Sequence, residues 1–197
     1  VATPFAVLAL PGGSLSDVGV VLGANALGFG LLVLIGGVVA DRLPRQLTML
    51  ASDLVRGLAQ AVSAVLLLSG SATVTSLALL QLLYGGAEAF FRPAVLGLVP
   101  QVTDPGEEQP ANALLALSNN VAMVVGPAVA GVLVAWLGAG GALAIDAGTF
   151  VVSALTLALM RPRPYTPAPA APMREQVAGG WREVRSRSWV WTTLVAF

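Results

Sequence analysis

Few residues in this 197-residue chain can do acid–base or ligand chemistry, and histidine and cysteine are not among them. Their absence removes thiol chemistry, disulfides, the commonest metal ligand and the commonest proton shuttle. Ten acids and ten arginines remain, lysine being absent. Two pairs stand at helical spacing: Asp53 with Arg56, and Glu88 with Arg92, the latter with the acid on the favoured N-terminal side. Asp41, Arg42 and Arg45 crowd the end of one apolar run, and Asp146 stands alone in another. No metal-ligand set, no Ser/Lys or paired-Asp arrangement and no phosphate-cradling loop appears, so neither an enzyme nor a cofactor is expected.

These charges need a setting, and composition names it. Apolar residues make up 56% of the chain before its 22 glycines are added, and charged residues only 10%, against about 25% in soluble domains. Twenty charges cannot cover a soluble surface of this size. A soluble enzyme, a disordered chain and a nucleic-acid binder with a basic face are excluded, and the expected partner is a lipid bilayer. Net charge is zero, which favours neither acidic nor basic partners.

Five apolar runs are long enough to span, since a spanning helix needs about 20 residues: Val18–Ala40, Gln46–Ser69, Val74–Val99, Ala111–Trp136 and Gly141–Met160. The breaks between them (PGGSLSD, DRLPR, GSAT, PQVTDPGEEQP and GAGG) carry turn chemistry. Shorter apolar runs at Val1–Leu10 and Trp189–Phe197 read as cut helices, the first and the seventh. The expected organisation is an all-α membrane bundle of six helices over residues 1–160, the first truncated. A cytoplasmic linker over 161–188 follows, then the start of helix seven over 189–197. Within the linker, RPRPYTPAPAAP reads as extended and the stretch after it as a basic amphipathic surface helix.

Arginines orient the bundle. Arg42 and Arg45 follow the second helix, and six more lie between Arg161 and Arg187; the connections after helices one, three and five have none. The positive-inside rule places the even-numbered connections in the cytoplasm of a multi-pass protein.

A charge at mid-bilayer costs about 2.5–3.5 kcal/mol on insertion scales, so each one inside a span needs a partner or a task. Asp53, Arg56, Glu88 and Arg92 are expected in the cytoplasmic halves of helices three and four, where with Asp41, Arg42 and Arg45 they make seven charges at one end. A carboxylate at a helix C-terminus opposes the macrodipole, so Asp41 calls for an arginine or a facing helix N-terminus. The seven either fix packing as static pairs or form a gate that makes and breaks them.

Small residues recur at packing spacing (Ala24/Gly28, Ala26/Gly30, Gly85/Ala89, Gly126/Ala130, Ala144/Gly148) and predict close helix contacts. Pro93 and Pro127 predict kinks. Two stretches echo each other: Gly37-Val-Val-Ala followed by Leu50-Ala-Ser-Asp53, and Gly131-Val-Leu-Val-Ala followed by Leu143-Ala-Ile-Asp146. They map helices two and three onto five and six, and a three-helix shift makes such a repeat inverted, as in transporters.

On these residues the chain resembles the major facilitator superfamily, in particular its bacterial efflux branch of siderophore and macrolide exporters. GGVVADRLPR is similar to the family's G-x-x-x-D-R-x-G-R loop at Gly37, Asp41, Arg42 and Arg45, with Pro44 where glycine is usual. Gly126, Pro127 and Gly131 resemble the G-P-x-x-G core of the antiporter motif, with Leu117 in place of its earlier glycine. FFRPAVLGLVPQ and QPANALLALSNNVAMVVGPAVAG look like the branch's helices four and five. The resemblance implies twelve helices in two halves (the C-terminal six-helix half missing from this chain), a central substrate path and alternating access. It also implies that Asp41 and its arginines hold the cytoplasmic side closed. An arginine early in helix four takes part in proton coupling in many members; Gln81 and Tyr84 occupy that region here, and Arg92 lies lower.

The expected function is export of amphipathic small molecules across the bacterial cytoplasmic membrane by proton antiport. Asn25, Gln81, Asn119, Asn120 and Asp146 are candidates for the substrate path, each also able to serve as interhelical hydrogen-bond glue. The competing class is a non-transporting scaffold or sensor of the same fold, separable by flux in energised vesicles.

Overall fold

A computed structural model describes residues 2–104, 106–163 and Ser186, so the surface helix expected within 161–188 and the start of helix seven over 189–197 lie outside the described residues. The chain divides into two units, residues 1–165 and 166–197, and all five helical elements belong to the first.

Five helical elements follow in order: α1 (Thr3–Leu8), α2 (Leu15–Arg42), α3 (Arg45–Leu68), α4 (Val74–Val102) and α5 (Glu108–Leu159). All but α1 are long and apolar enough to cross a membrane. Both helices that start beyond a turn on the far side from Arg42 carry reciprocal caps. Ser14 and Asp17 exchange side-chain and backbone hydrogen bonds at the start of α2, and Thr73 and Ser76 do so at α4. Each cap satisfies amide donors that the first turn leaves without partners. Between α2 and α3 the chain turns in two residues. Leu43 is extended (φ −104°, ψ 157°), as a residue before proline prefers, and Pro44 (φ −54°, ψ 120°) caps α3 from one position outside it.

The GAGG break expected between the fifth and sixth spans is narrower than four residues. Within α5 only Gly138 leaves helical dihedrals, at φ 71° and ψ 170°, a conformation closed to residues with a Cβ. It separates a first limb, 108–137, from a second limb, 139–159. Pro93, Pro100 and Pro127 lie inside stretches assigned to helix throughout.

Two seams hold these helices together. In the first, α2 and α4 run parallel: Asn25 lies opposite Gln81 and Gly85, Gly28 opposite Leu82 and Gly86, and Gly36 opposite Ala89. A Cβ added at Gly28, Gly36 or Gly85 would enter the facing backbone. Of the expected small-residue pairs, those of Gly28 and of Gly85 with Ala89 therefore make close contacts, whereas Gly30, Gly126 and Gly148 face open space. In the second seam, α3 and the second limb of α5 run antiparallel, from Leu67 and Leu68 beside Gly140 to Gln46 beside Leu157 and Met160. Helix α4 also lies antiparallel to α3, with Ser52 opposite Ala87 and Arg45 opposite Gly97.

The second seam has an internal two-fold relation. Asp53, Gly57 and Gln60 stand 93 positions before Asp146, Phe150 and Ser153. Asp53 pairs with Ser153, Gln60 with Asp146, and Gly57 packs on Phe150 at the centre. Each aspartate thus meets the counterpart of the other's partner. This is the arrangement that an inverted repeat dictates.

Candidate functional site

Beside the polar contacts of the second seam, the charged groups and their neighbours form three sets. Deepest is the set around Arg56, eleven residues into the 24-residue α3, about 17 Å at 1.5 Å per residue. Asp53 is 1% exposed and forms an ion pair with Arg56 one turn on. Its other carboxylate oxygen accepts from the Ser153 hydroxyl at 2.5 Å. The Arg56 guanidinium faces three rings, Phe91 at 4.1 Å, Phe150 at 5.0 Å and Tyr84 at 5.8 Å, and Tyr84 meets Phe150 edge-on. Each such face is worth about 0.5–2 kcal/mol to a desolvated cation. This set binds α3 to α4 and to the second limb.

The second set runs down α4. Gln81, Tyr84, Glu88 and Arg92 are spaced three and four apart and share one face. At its upper end Asn25 donates to the Gln81 backbone and side-chain carbonyls at 3.3 and 3.2 Å, and Gln81 donates to Thr3 at 3.4 Å, joining α1, α2 and α4. At its lower end Arg92 pairs with Glu88 at 2.7 Å and lies 5.3 Å from the Phe29 ring. This pair does not join the Arg56 set: the Arg92 side chain is 68% exposed. Glu88 is nevertheless the midpoint of the 29-residue α4.

The third set closes one end. Asp41 and Arg42 end α2, and Arg45 begins α3 and donates to the Gly97 carbonyl of α4. Arg163 meets Asp104 at 2.5 Å and the Gln101 carbonyl through its backbone. Gly37 is half-buried, with open space where a Cβ would stand. The seven charges expected at this end thus divide by depth, since Arg56 and Glu88 sit at the middle of their helices.

Among the expected path residues, Asn25 and Gln81 are paired with each other and Asp146 accepts from Gln60 at 2.6 Å. Asn119 and Asn120 are exposed on the first limb of α5, which also carries Gly126, Pro127 and Gly131. The partners on the other side of these bonds, Gln46, Gln60 and Ser153, are uncharged residues about one hundred positions from what they touch, and spacing alone gave no sign of them.

Two cavities flank the bundle. One, about 790 Å³ between α2, α3 and α4, is walled by Leu32, Val39, Leu47, Leu83 and Phe90. Its two hydroxyls, Ser52 and Thr48, already donate to carbonyls. The other, about 830 Å³, lies between the limbs of α5 and, among the described residues, has Asp146 as the one charged group in its lining.

Comparison with known proteins places this geometry in context. Residues 2–197 match the family model of the Major Facilitator Superfamily. Over 169 residues the chain is 31% identical to the multidrug efflux pump Tap of Mycolicibacterium fortuitum, an alignment that takes in 82% of this chain and 40% of that pump. The matched part of the chain therefore spans 40% of the length of this curated relative. No solved structure matches it.

Proposed function

The chain belongs to the major facilitator superfamily, and we propose that it forms the N-terminal six-helix half of a secondary active exporter of amphipathic small molecules. The observation that carries this reading is the Glu88–Arg92 pair. It stands at mid-helix in a spanning segment, yet Arg92 points out of the bundle. Lipid is no solvent for such a pair, so this face of α4 borders water or protein. The Gln81–Tyr84–Glu88–Arg92 stripe then lines a path between this half and the C-terminal half, and the two rock against each other in alternating access. Similarity to a multidrug efflux pump supports export and a broad small-molecule substrate class.

In this reading residues 1–160 are the membrane bundle, 161–188 the linker between halves, and 189–197 the start of helix seven. Arg42, Arg45, Arg161 and Arg163 lie at one end of the bundle, which supports a cytoplasmic position for the even-numbered connections. Asp41, Arg42 and Arg45 act there as the gate, with the Arg45 contact to Gly97 as its clasp in the closed state. Protons supply the driving gradient. By the two-fold relation, the cavity between the limbs of α5 is the counterpart of the groove on α2 that α4 occupies. Ser118, Val121, Val125 and Val129 line that cavity, and their counterparts 93 positions earlier, Asn25, Gly28, Leu32 and Gly36, are the residues that α4 covers.

Dye efflux from energised vesicles carrying the full-length protein tests the reading. Efflux that stops when the proton gradient is collapsed is expected, and Asp41→Asn should slow it and raise labelling at the cytoplasmic end. Flux indifferent to the gradient would overturn antiport, and no flux with any compound of a broad panel would favour a scaffold or sensor.

A further inference from the structure

We infer that Asp146 is the proton-carrying group of this half, held for that role by Gln60; the inference rests on the proton-driven exporter proposed above. The two-fold relation in the second seam supplies a comparison within one molecule. Asp53 and Asp146 are counterparts, each bonded to the opposite helix. Three residues after Asp53 stands Arg56, which neutralises it. Three residues after Asp146 stands Thr149, whose hydroxyl is spent on its own helix, donating to the Asp146 backbone carbonyl at 2.7 Å. Among the described residues no cation pairs with Asp146. A carboxylate in a span without a counter-ion is relieved most simply by a proton.

Gln60 shows a second, independent sign. Its amide nitrogen donates to one oxygen of Asp146 at 2.6 Å, and among the described residues its own carbonyl oxygen Oε1 is buried without a hydrogen-bond partner. Gln60 as a whole is 5% exposed. A carboxylate only accepts, so it can serve the amide nitrogen but not Oε1. A carboxylic acid has one O–H donor and can serve both. In the loaded form a proton from water forms an O–H bond on Asp146 that donates to Oε1. On release the O–H bond breaks, the proton returns to water, and the carboxylate keeps the bond from the amide nitrogen. The other ionisable groups on the surrounding elements are Arg45, Asp53 and Arg56 on α3 and Tyr84, Glu88 and Arg92 on α4; α1 and residues 109–159 otherwise carry none, Arg45 reaches the Gly97 carbonyl and Arg92 pairs with Glu88. Arg56 is committed to Asp53 and the three rings around it.

Infrared titration of the full-length protein in lipid nanodiscs decides the matter without any substrate. A protonated-carboxyl C=O band that rises and falls with pH is expected in the native protein. It should vanish in Asp146→Asn, in which an amide oxygen can still accept from Gln60 and keep the seam. It should persist, shifted, in Asp146→Glu, and move to higher wavenumber in Gln60→Leu as the acid loses its acceptor, a change that loss of packing alone would not produce. A band unchanged in Asp146→Asn, or indifferent to Gln60→Leu, would overturn the assignment. Proton-driven dye flux in native vesicles reads the exporter proposal separately. If native flux follows the gradient and Asp146→Asn still couples to it, the assignment fails while the exporter stands.

Discussion

The two seams of this bundle are built on opposite principles. Between α2 and α4 the contact is made by what is absent: Gly28, Gly36 and Gly85 remove side chains so that backbones meet. Between α3 and the second limb of α5 it is made by what is present, with Gln46, Asp53, Gln60, Asp146 and Ser153 exchanging hydrogen bonds across the interface. Both devices suit lipid, where water supplies no hydrophobic drive between helices and close packing and hydrogen bonds must serve instead. They differ in what they tolerate. A small-residue seam fails when volume is added, and a polar seam fails when a partner is removed.

The largest effect is expected in the polar seam. Asp53→Ala leaves Arg56 buried without its counter-ion, a loss of about 3–5 kcal/mol, seen as a lower unfolding temperature in nanodiscs. Adding Arg56→Met to it should recover most of that loss, and failure to recover would mean that Asp53 matters for something other than Arg56. Next comes the small-residue seam. Gly36→Val drives a side chain into the Ala89 backbone and should cost about 1–3 kcal/mol, whereas Gly30→Val, with open space at its Cβ, should leave unfolding unchanged. Equal effects at the two glycines would dissolve the distinction between the seams. A smaller change, about 0.5–1.5 kcal/mol, is expected for Gln46→Ala, which releases the Leu157 and Met160 carbonyls. Smallest for stability is Arg92→Gln, under about 1 kcal/mol for so exposed a pair, yet it should abolish export. Stability and transport would then be separated on one helix.

Much of this was legible in order along the chain. Apolar runs mark the long helices because a span must be continuous, and the i,i+3 and i,i+4 ion pairs are visible because both partners share one helix. Leu50-Ala-Ser-Asp53 and Leu143-Ala-Ile-Asp146 signal the repeat whose two-fold contacts the fold displays. Gln46, Gln60 and Ser153 were silent because uncharged polar residues are ordinary in a span until their distant partners are known. The width of the break at Gly138 was hidden by its neighbours: any glycine of GAGG permits the turn, and only packing selects one.

The central claim is that one face of α4 borders an aqueous path while the opposite face packs or meets lipid. The chain has no cysteine, so single cysteines can be placed on α4 at 81, 84, 88 and 92 and, on the other face, at 79, 83, 86 and 90. The full-length protein in native membranes is then exposed to a charged, membrane-impermeant thiol reagent. Positions 88 and 92 should label and 79, 83, 86 and 90 should not, with bound transport substrate protecting the reactive face. Labelling at 79 and 83 with none at 88 and 92 would contradict it.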